Sequence, residues 1–315
     1  MSSGNTPSSP RGAKAVEVAA QAKLNLRLRI LARESNGFHQ LETLFLRIDL
    51  ADTVRIRRTS GARTLDVIGD VDVATLGPVE KNLAWRAAES YFDASGMRGG
   101  FAIEMEKRIP IGGGLGGGSA DAGAVLRALA AMDDASRDPA LLLGLATALG
   151  ADVPFLASEH AYALAWGRGE RMLALAPPPP CDTMLVVPSF AVSTAEAFGW
   201  LDGMGPAREP RQIVEGQVLE PTTLSDWTSL QALHGNDFEA AVEAHHPEIR
   251  DLLDFLRAHG CVLRMMSGSG STVFGMGASS SPGASREGTL PQLPAGAKVI
   301  RTRTSARVEQ VSAIE

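Results

Sequence analysis

Between Pro110 and Asp121 the chain reads Pro-Ile-Gly-Gly-Gly-Leu-Gly-Gly-Gly-Ser-Ala-Asp, with six glycines among the seven residues from Gly112 to Gly118. Such a run resists both helix and strand interiors, because glycine loses more backbone freedom on ordering than any other residue. Yet a strand pattern at 100–106 leads into it and an apolar helical pattern, Ser119 to Met132, follows at once. A glycine turn between a strand and a helix start lets backbone N–H groups face a ligand, and the helix adds partial positive charge, so the pair suits phosphate oxygens. A flexible linker or tight turn is the plain alternative, but a linker needs neither a strand before it nor a strong helix after it.

Several phosphate loops share this composition. Gly112, Gly114 and Gly117 satisfy G-x-G-x-x-G, a match almost forced by such glycine density. A dinucleotide fold also requires a buried apolar strand leading in and an acidic residue about 20 positions later at a second strand end. Here the lead-in, Glu104-Met-Glu-Lys-Arg-Ile-Pro, is charged, and Asp133 and Asp134 fall at a helix end. A Walker loop requires Gly-Lys-Ser/Thr, whereas Ser119 follows Gly118 directly. The His-Arg-Asp and Asp-Phe-Gly signatures of protein kinases are absent.

The 315 residues, 44% hydrophobic and 21% charged with mean hydropathy +0.01, suit a soluble globular protein of two lobes. Thirty basic against 36 acidic side chains, spread along the chain, argue against a nucleic-acid partner. The longest apolar stretch, Ala140 to Ala151, is broken by Thr147 and too short to span a bilayer, and the N-terminus lacks the apolar core of a signal peptide. Cys181 and Cys261 form neither a disulfide scaffold nor a metal array, so the expected compartment is the cytoplasm. The expected assembly is a monomer or weak homodimer.

Short strands are expected at Leu24 to Leu31, 43–50, 53–58, 64–68 and 100–106, and helices at Asn82 to Ala94, with Asn82 as N-cap, and at Pro139 to Leu149. Pro177 to Pro180 marks a change of lobe. Beyond it come a strand at Met184 to Val187, helices at Thr194 to Leu201, Asp237 to His245 and Glu248 to His259, and a last strand at Lys298 to Thr302 after a Ser/Gly/Pro-rich insertion, Gly277 to Gly296. Without regular βαβ alternation the fold class is α+β. The expected division is a disordered extension at 1–15, a first lobe at 16–175, a second lobe at 176–306 and a tail at 307–315.

Pro110-x-x-x-Gly114-Leu115-Gly116, small residues and a helix together resemble the phosphate loop of the GHMP kinases, the superfamily of galactokinase, homoserine kinase and mevalonate kinase. Ala22-Lys-Leu-Asn25 resembles that family's first motif, and Ser267-Gly-Ser-Gly-Ser-Thr-Val-Phe274 its third, a glycine turn beside the phosphate loop. Asn36-Gly-Phe-His39 and Leu149-Gly-Ala-Asp152-Val-Pro-Phe155 narrow the similarity to the branch that phosphorylates a cytidine diphosphate sugar alcohol in the non-mevalonate isoprenoid pathway. The resemblance runs from about residue 16 to 305. It implies a two-lobed GHMP fold with a glycine-rich phosphate loop opening a helix. It further implies ATP as donor and the substrate's 2-hydroxyl as acceptor.

Residue by residue, the resemblance implies Lys23 and Asp152 as the catalytic pair, the lysine keeping the carboxylate ionised and placed. It puts ATP on Pro110, Ile111, Gly112, Gly113, Gly114, Leu115, Gly116, Gly117, Gly118, Ser119 and Ala120, with Asn82 and Lys107 near the adenine. It puts substrate on Asn25, Phe38, His39, Thr194 and Phe198, with Phe190 as a rival to Phe198 for the face of the base. Phe38 stands where the family more often carries Tyr. Ser119 can reach phosphate or magnesium, or merely cap its helix; relatives commonly carry a second Ser at Ala120. Magnesium is expected with ATP, with no protein ligand identified. Three alternatives remain at this point: another small-alcohol kinase of the superfamily, a nucleotide sensor without catalysis, and a dinucleotide-dependent oxidoreductase.

Overall fold

The alternation of Leu24, Leu26 and Leu28 with Asn25 and Arg27 belongs to a strand longer than the pattern shows. A computed structural model describes residues 10–35, 37–69, 76–133, 138–204, 220–277 and 292–314, and in it β1 runs Ala15–Arg33. Residues 1–9 of the expected extension and 278–291 of the expected insertion lie outside the described residues. Strand β2 (His39–Thr59) pairs antiparallel with β1 along its length, so the two strands expected at 43–50 and 53–58 are one. They look like two because the strand changes partner midway. Its first half pairs with β5 (Tyr162–Gly167) and its second with β4 (Gly100–Lys107).

Around this pair, β3 (Thr64–Gly69) adds in parallel to β4, and β6 (Arg171–Ala174) extends β5. Helix α1 (Leu83–Ser95) starts as expected, with Asn82 Oδ1 accepting from the Ala84 N–H at 2.9 Å. Helix α2 (Gly117–Met132) is buried on nearly every side, between α1, β1 and two further helices, α3 (Pro139–Leu149) and α4 (Val153–Ala157). Gly123 permits the tightest of these contacts, since a Cβ there would lie 2.6 Å from the carbonyl carbon of Leu156. The helix that follows the glycine run is therefore the axis of the first core.

Strand β7 (Asp182–Val187) opens a second, four-stranded sheet. The chain then runs through α5 (Thr194–Gly203), α6 (Pro221–Leu224), α7 (Trp227–Leu233), β8 (Gly235–Asn236), α8 (Glu239–His245), α9 (Glu248–Ala258), β9 (Leu263–Met266), β10 (Val273–Met276) and β11 (Lys298–Arg303). The sheet order is β11-β7-β10-β9, with Val186, Met266 and Val273 packed against Ala197, Val242 and Leu252 of α5, α8 and α9. The lobes interlock. Strand β8 joins the first sheet beside β1, and Leu28 of β1 belongs to the second core.

Residues 307–314, expected as a tail, return to the first lobe. Strand β12 (Ser312–Ile314) pairs with β1, and the Gln21 amide donates to Ser305 Oγ and Arg307 O while its oxygen accepts from the Glu309 N–H. A three-residue strand carries too little alternation to announce itself. Among the described residues no helix is long and apolar enough to cross a membrane.

Candidate functional site

The glycine run joins β4 to α2 and lines a cavity of about 530 Å³ between the lobes. Two glycines are required by the geometry. At Gly114 (φ +73°) a Cβ would run into the Ser267 carbonyl, which lets the third motif pack directly on the loop. At Gly116 (φ +74°), the N-cap position of α2, a Cβ would come within 2.9 Å of Lys23 Cε, so its absence opens the channel through which that lysine reaches the loop. Since Gly116 holds the cap position, the capping alternative for Ser119 falls, and Ser119 is among the residues that line the cavity.

Lys23 rises from β1, 2% exposed, beneath the loop. Its Nζ donates to Asn25 Oδ1 at 2.6 Å and to the Gly114 carbonyl at 3.0 Å, and lies 3.3 Å from Asp152 Oδ2. Asn25 in turn donates through Nδ2 to Thr43 Oγ1 at 2.8 Å, so its amide is engaged on both sides. Asp152 precedes α4 without capping it and keeps 29% of its side chain exposed. A reachable carboxylate thus sits beside a buried ammonium at the start of a glycine-lined helix.

A second lysine–carboxylate cluster flanks the loop. Lys107, the last residue of β4, bridges Asp52 on β2 and Asp121 on α2. Asp52 Oδ1 also accepts the Arg108 N–H at 2.5 Å and the Ile109 N–H at 2.8 Å, whereas Asp121 Oδ1 is buried with no partner. Burial pushes the Asp121 carboxyl up to about 7, with Asp52 adding to the shift and Lys107 opposing it. For Lys107, burial acts to lower the pKa, but Asp121 and Asp52 outweigh it and hold the ammonium above its ordinary value.

Of the residues singled out in the sequence, Pro110 through Ser119 all line the cavity, as do Lys23, Asn25, Asn82, Lys107, Asp152, Thr194 and Phe198. Ala120 turns into the core. Thr194 Oγ1 lies 3.1 Å from Ser269 Oγ, joining α5 to the third motif. His39 is not in the lining but stacks on Phe198, with ring centroids 4.3 Å apart, and its Nε2 lies 3.0 Å from Asp202 Oδ1. Phe190 stacks on His246 instead and is not among the residues that line the cavity. Phe38 is also outside the lining and carries the Arg168 guanidinium over its ring at 4.1 Å.

Sequence reading missed the apolar end of the cavity, formed by Val67, Leu76, Leu83, Met105 and Ile109. Val67 lies on β3, Met105 on β4, Ile109 just beyond β4, Leu83 at the first position of α1 and Leu76 ahead of it, and no local motif groups them. It also missed Asp52 and Asp121 as partners of Lys107, although Asp121 closes the glycine motif itself. Among the described residues no group of three His, Cys, Asp or Glu side chains is arranged to hold a metal. Beside the loop the cavity lining includes the oxygen-bearing side chains of Ser119, Asp121 and Asp152, which fits a magnesium ion held mainly by phosphates and water.

Comparison with known proteins adds to this geometry. The sequence profile described as GHMP kinases N terminal domain matches residues 82–160, and that described as GHMP kinases C terminal matches 222–287. The chain is 38% identical over 263 residues to the 4-diphosphocytidyl-2-C-methyl-D-erythritol kinase of Pelotomaculum thermopropionicum, covering 83% of this chain and 88% of that one. It is 38% identical over 304 residues to the like-named protein of Anaeromyxobacter sp. strain K, covering 93% and 92%. A crystal structure of 4-(cytidine 5'-diphospho)-2C-methyl-D-erythritol kinase superposes with a TM-score of 0.69 at 34% identity, over 92% of this chain and 99% of the other. Homoserine kinase from Cytophaga hutchinsonii, 18% identical with a TM-score of 0.63 over 96% and 98%, shares the fold.

Proposed function

Because the chain belongs to the 4-diphosphocytidyl-2-C-methyl-D-erythritol kinases, within the GHMP kinases, we propose how its own residues carry that family's reaction. The protein is an ATP-dependent kinase that phosphorylates the 2-hydroxyl of 4-diphosphocytidyl-2-C-methyl-D-erythritol, giving the 2-phosphate and ADP in the non-mevalonate isoprenoid pathway. The observation that carries the residue assignment is the contact between Lys23 and Asp152 at the start of α2.

Backbone N–H groups of the glycine loop and the N-terminal end of α2 cradle the phosphates of ATP. The adenine lies at the apolar end, against Val67, Leu83 and Met105, with Asn82 and Lys107 beside it. Asp152 accepts the proton of the substrate 2-hydroxyl as that oxygen attacks the γ-phosphorus and ADP leaves. Lys23, fixed by Asn25 and the Gly114 carbonyl, holds Asp152 in place and offers positive charge where the transferring phosphoryl group gathers negative charge. Magnesium would be held by ATP with the Ser119 hydroxyl and the Asp152 carboxylate as available protein oxygens. When bound it neutralises charge on the β- and γ-phosphates.

Phe198 and His39, already stacked, form the face on which the cytosine packs, with Thr194 and Phe38 flanking it. Phe198, which lines the cavity, is preferred over Phe190, which is stacked on His246. The free thiols of Cys181 and Cys261 fit the cytoplasm.

The test is ADP release with ATP and magnesium, offering the cytidylated alcohol beside 2-C-methyl-D-erythritol 4-phosphate, homoserine and mevalonate. Turnover is expected with the cytidylated compound alone. Phe198→Ala and His39→Ala are expected to raise its KM about tenfold or more while leaving the KM for ATP within about twofold. An unchanged KM in both variants would remove the base from that face.

A further inference from the structure

Helix α4 has five residues, about 7.5 Å of helix, too short to hold its own conformation in water. Its place decides where Asp152 stands, because Asp152 is the residue immediately before it. One end is therefore catalytic. The other end is held by a buried cation.

Arg47 lies on β2 directly opposite Lys23 on β1, so the two side chains leave the same face of the strand pair. Arg47 is 1% exposed, and no carboxylate contacts its guanidinium within salt-bridge distance among the described residues. Instead Nη2 donates to the carbonyls of Phe155, Leu156 and Ser158, each at 3.0 Å, and Nε donates to the His160 carbonyl at 3.0 Å. The guanidinium carbon sits 5.1 Å from the centroid of the Phe155 ring. These carbonyls include those a helix leaves unpaired at its C-terminus, where a cation also meets the negative end of the helix dipole. Burial, reinforced by Arg127, draws the Arg47 pKa down to about 9, so this arrangement carries a cost that packing alone does not explain.

We infer that Arg47 is a positioning residue for phosphoryl transfer: it clamps the C-terminal end of α4 to the strand pair that carries Lys23, and so fixes the position of Asp152 relative to that lysine. Neighbouring positions on two paired strands reach the two ends of one short helix, Lys23 at its head and Arg47 at its tail. The separation of the catalytic pair is thereby set by the register of β1 and β2. A shift of about 1 Å at the reacting groups can cost on the order of 10²-fold in rate. The inference rests on Asp152 being the catalytic carboxylate.

The experiment is a double-mutant cycle read by single-turnover phosphoryl transfer, with active sites counted by ATP binding. Arg47→Lys keeps the charge, but one ammonium cannot reproduce the span of the guanidinium across four carbonyls. Its rate per ATP-binding site is expected to fall about 10- to 100-fold, with KM for both substrates within about twofold. In an Asp152→Asn background the same substitution is expected to change the residual rate by less than about twofold, because the group it positions is already gone. Equal losses in both backgrounds, or an unchanged rate per site in Arg47→Lys, would overturn the inference. If Arg47→Lys does not fold, Phe155→Leu, which removes the ring beneath the guanidinium, is put through the same cycle and must show the same non-additivity. A wild-type rate in Asp152→Asn would instead remove the catalytic reading on which the inference stands, and so distinguishes the two failures.

Discussion

Two lysine–aspartate clusters flank the same glycine loop and differ in what can reach them. In one, Lys23 is buried but Asp152 keeps 29% of its side chain open to the cavity. In the other, Lys107, Asp52 and Asp121 are all buried, and Asp52 is tied to the backbone at the residues that open the loop. The ingredients are the same, and the chemistry is not. An ammonium beside an accessible carboxylate can hold a base ready for an incoming hydroxyl, whereas one enclosed between two carboxylates joins β2, β4 and α2 across both ends of the loop. Two of the five lysines in a chain with 30 basic residues stand in these clusters, and a Cβ at Gly116 would crowd the side chain of Lys23. Compact ammonium groups fit there where a planar guanidinium would not.

The comparison predicts opposite phenotypes. Asp152→Asn in the open cluster is expected to lower kcat by about 10² to 10⁴ while ATP binding and thermal stability stay near wild type. ADP release, calorimetric ATP binding and a thermal melt check all three. A stability loss as large as that of a closed-cluster variant would erase the distinction. Asp52→Ala in the closed cluster leaves the Arg108 and Ile109 N–H groups without their acceptor and Lys107 with one carboxylate. The expected cost is about 3 kcal/mol of unfolding free energy, read from a denaturant midpoint, with ATP affinity falling in parallel. A folded protein with an unmoved midpoint would show that the cluster does not hold the loop.

The open cluster was legible in the sequence and the closed one was not, for a physical reason. Lys23 and Asp152 each sit in a run that resembles a GHMP kinase motif, and it is that resemblance, not their spacing, that pairs them from the sequence. Lys107 was singled out, but as a neighbour of the adenine, because its partners declare nothing locally. Asp52 is one of two aspartates on an otherwise ordinary strand, 55 residues from Lys107, and only the pairing of β2 with β4 brings them together. Arg47 is one of many arginines, and neither its burial nor its carbonyl partners can be read from residues 45–49. Among the elements, helix α1 was legible because Asn82 caps it and its apolar face repeats. β5, β6, β8 and β12 are short and set by tertiary partners rather than by alternation, and the single long β2 was read as two strands because its partner changes midway.

The smallest effect separates the clusters most finely. Burial lifts the Asp121 carboxyl from 3.8 to about 7, so between those values the folded protein holds a proton that the unfolded chain has released. Where the folded state binds more protons, its stability falls as pH rises, and this contribution is lost through the interval up to about 7. Asp121→Asn removes that titration and leaves the other groups in place. The difference in melting temperature, variant minus wild type, is therefore expected to become more positive between about pH 5 and pH 8, by a few degrees at most. Thermal melts of both proteins at the two pH values measure it directly. A difference independent of pH would mean that Lys107 keeps the Asp121 carboxylate ionised throughout, and the two clusters would then differ in access alone.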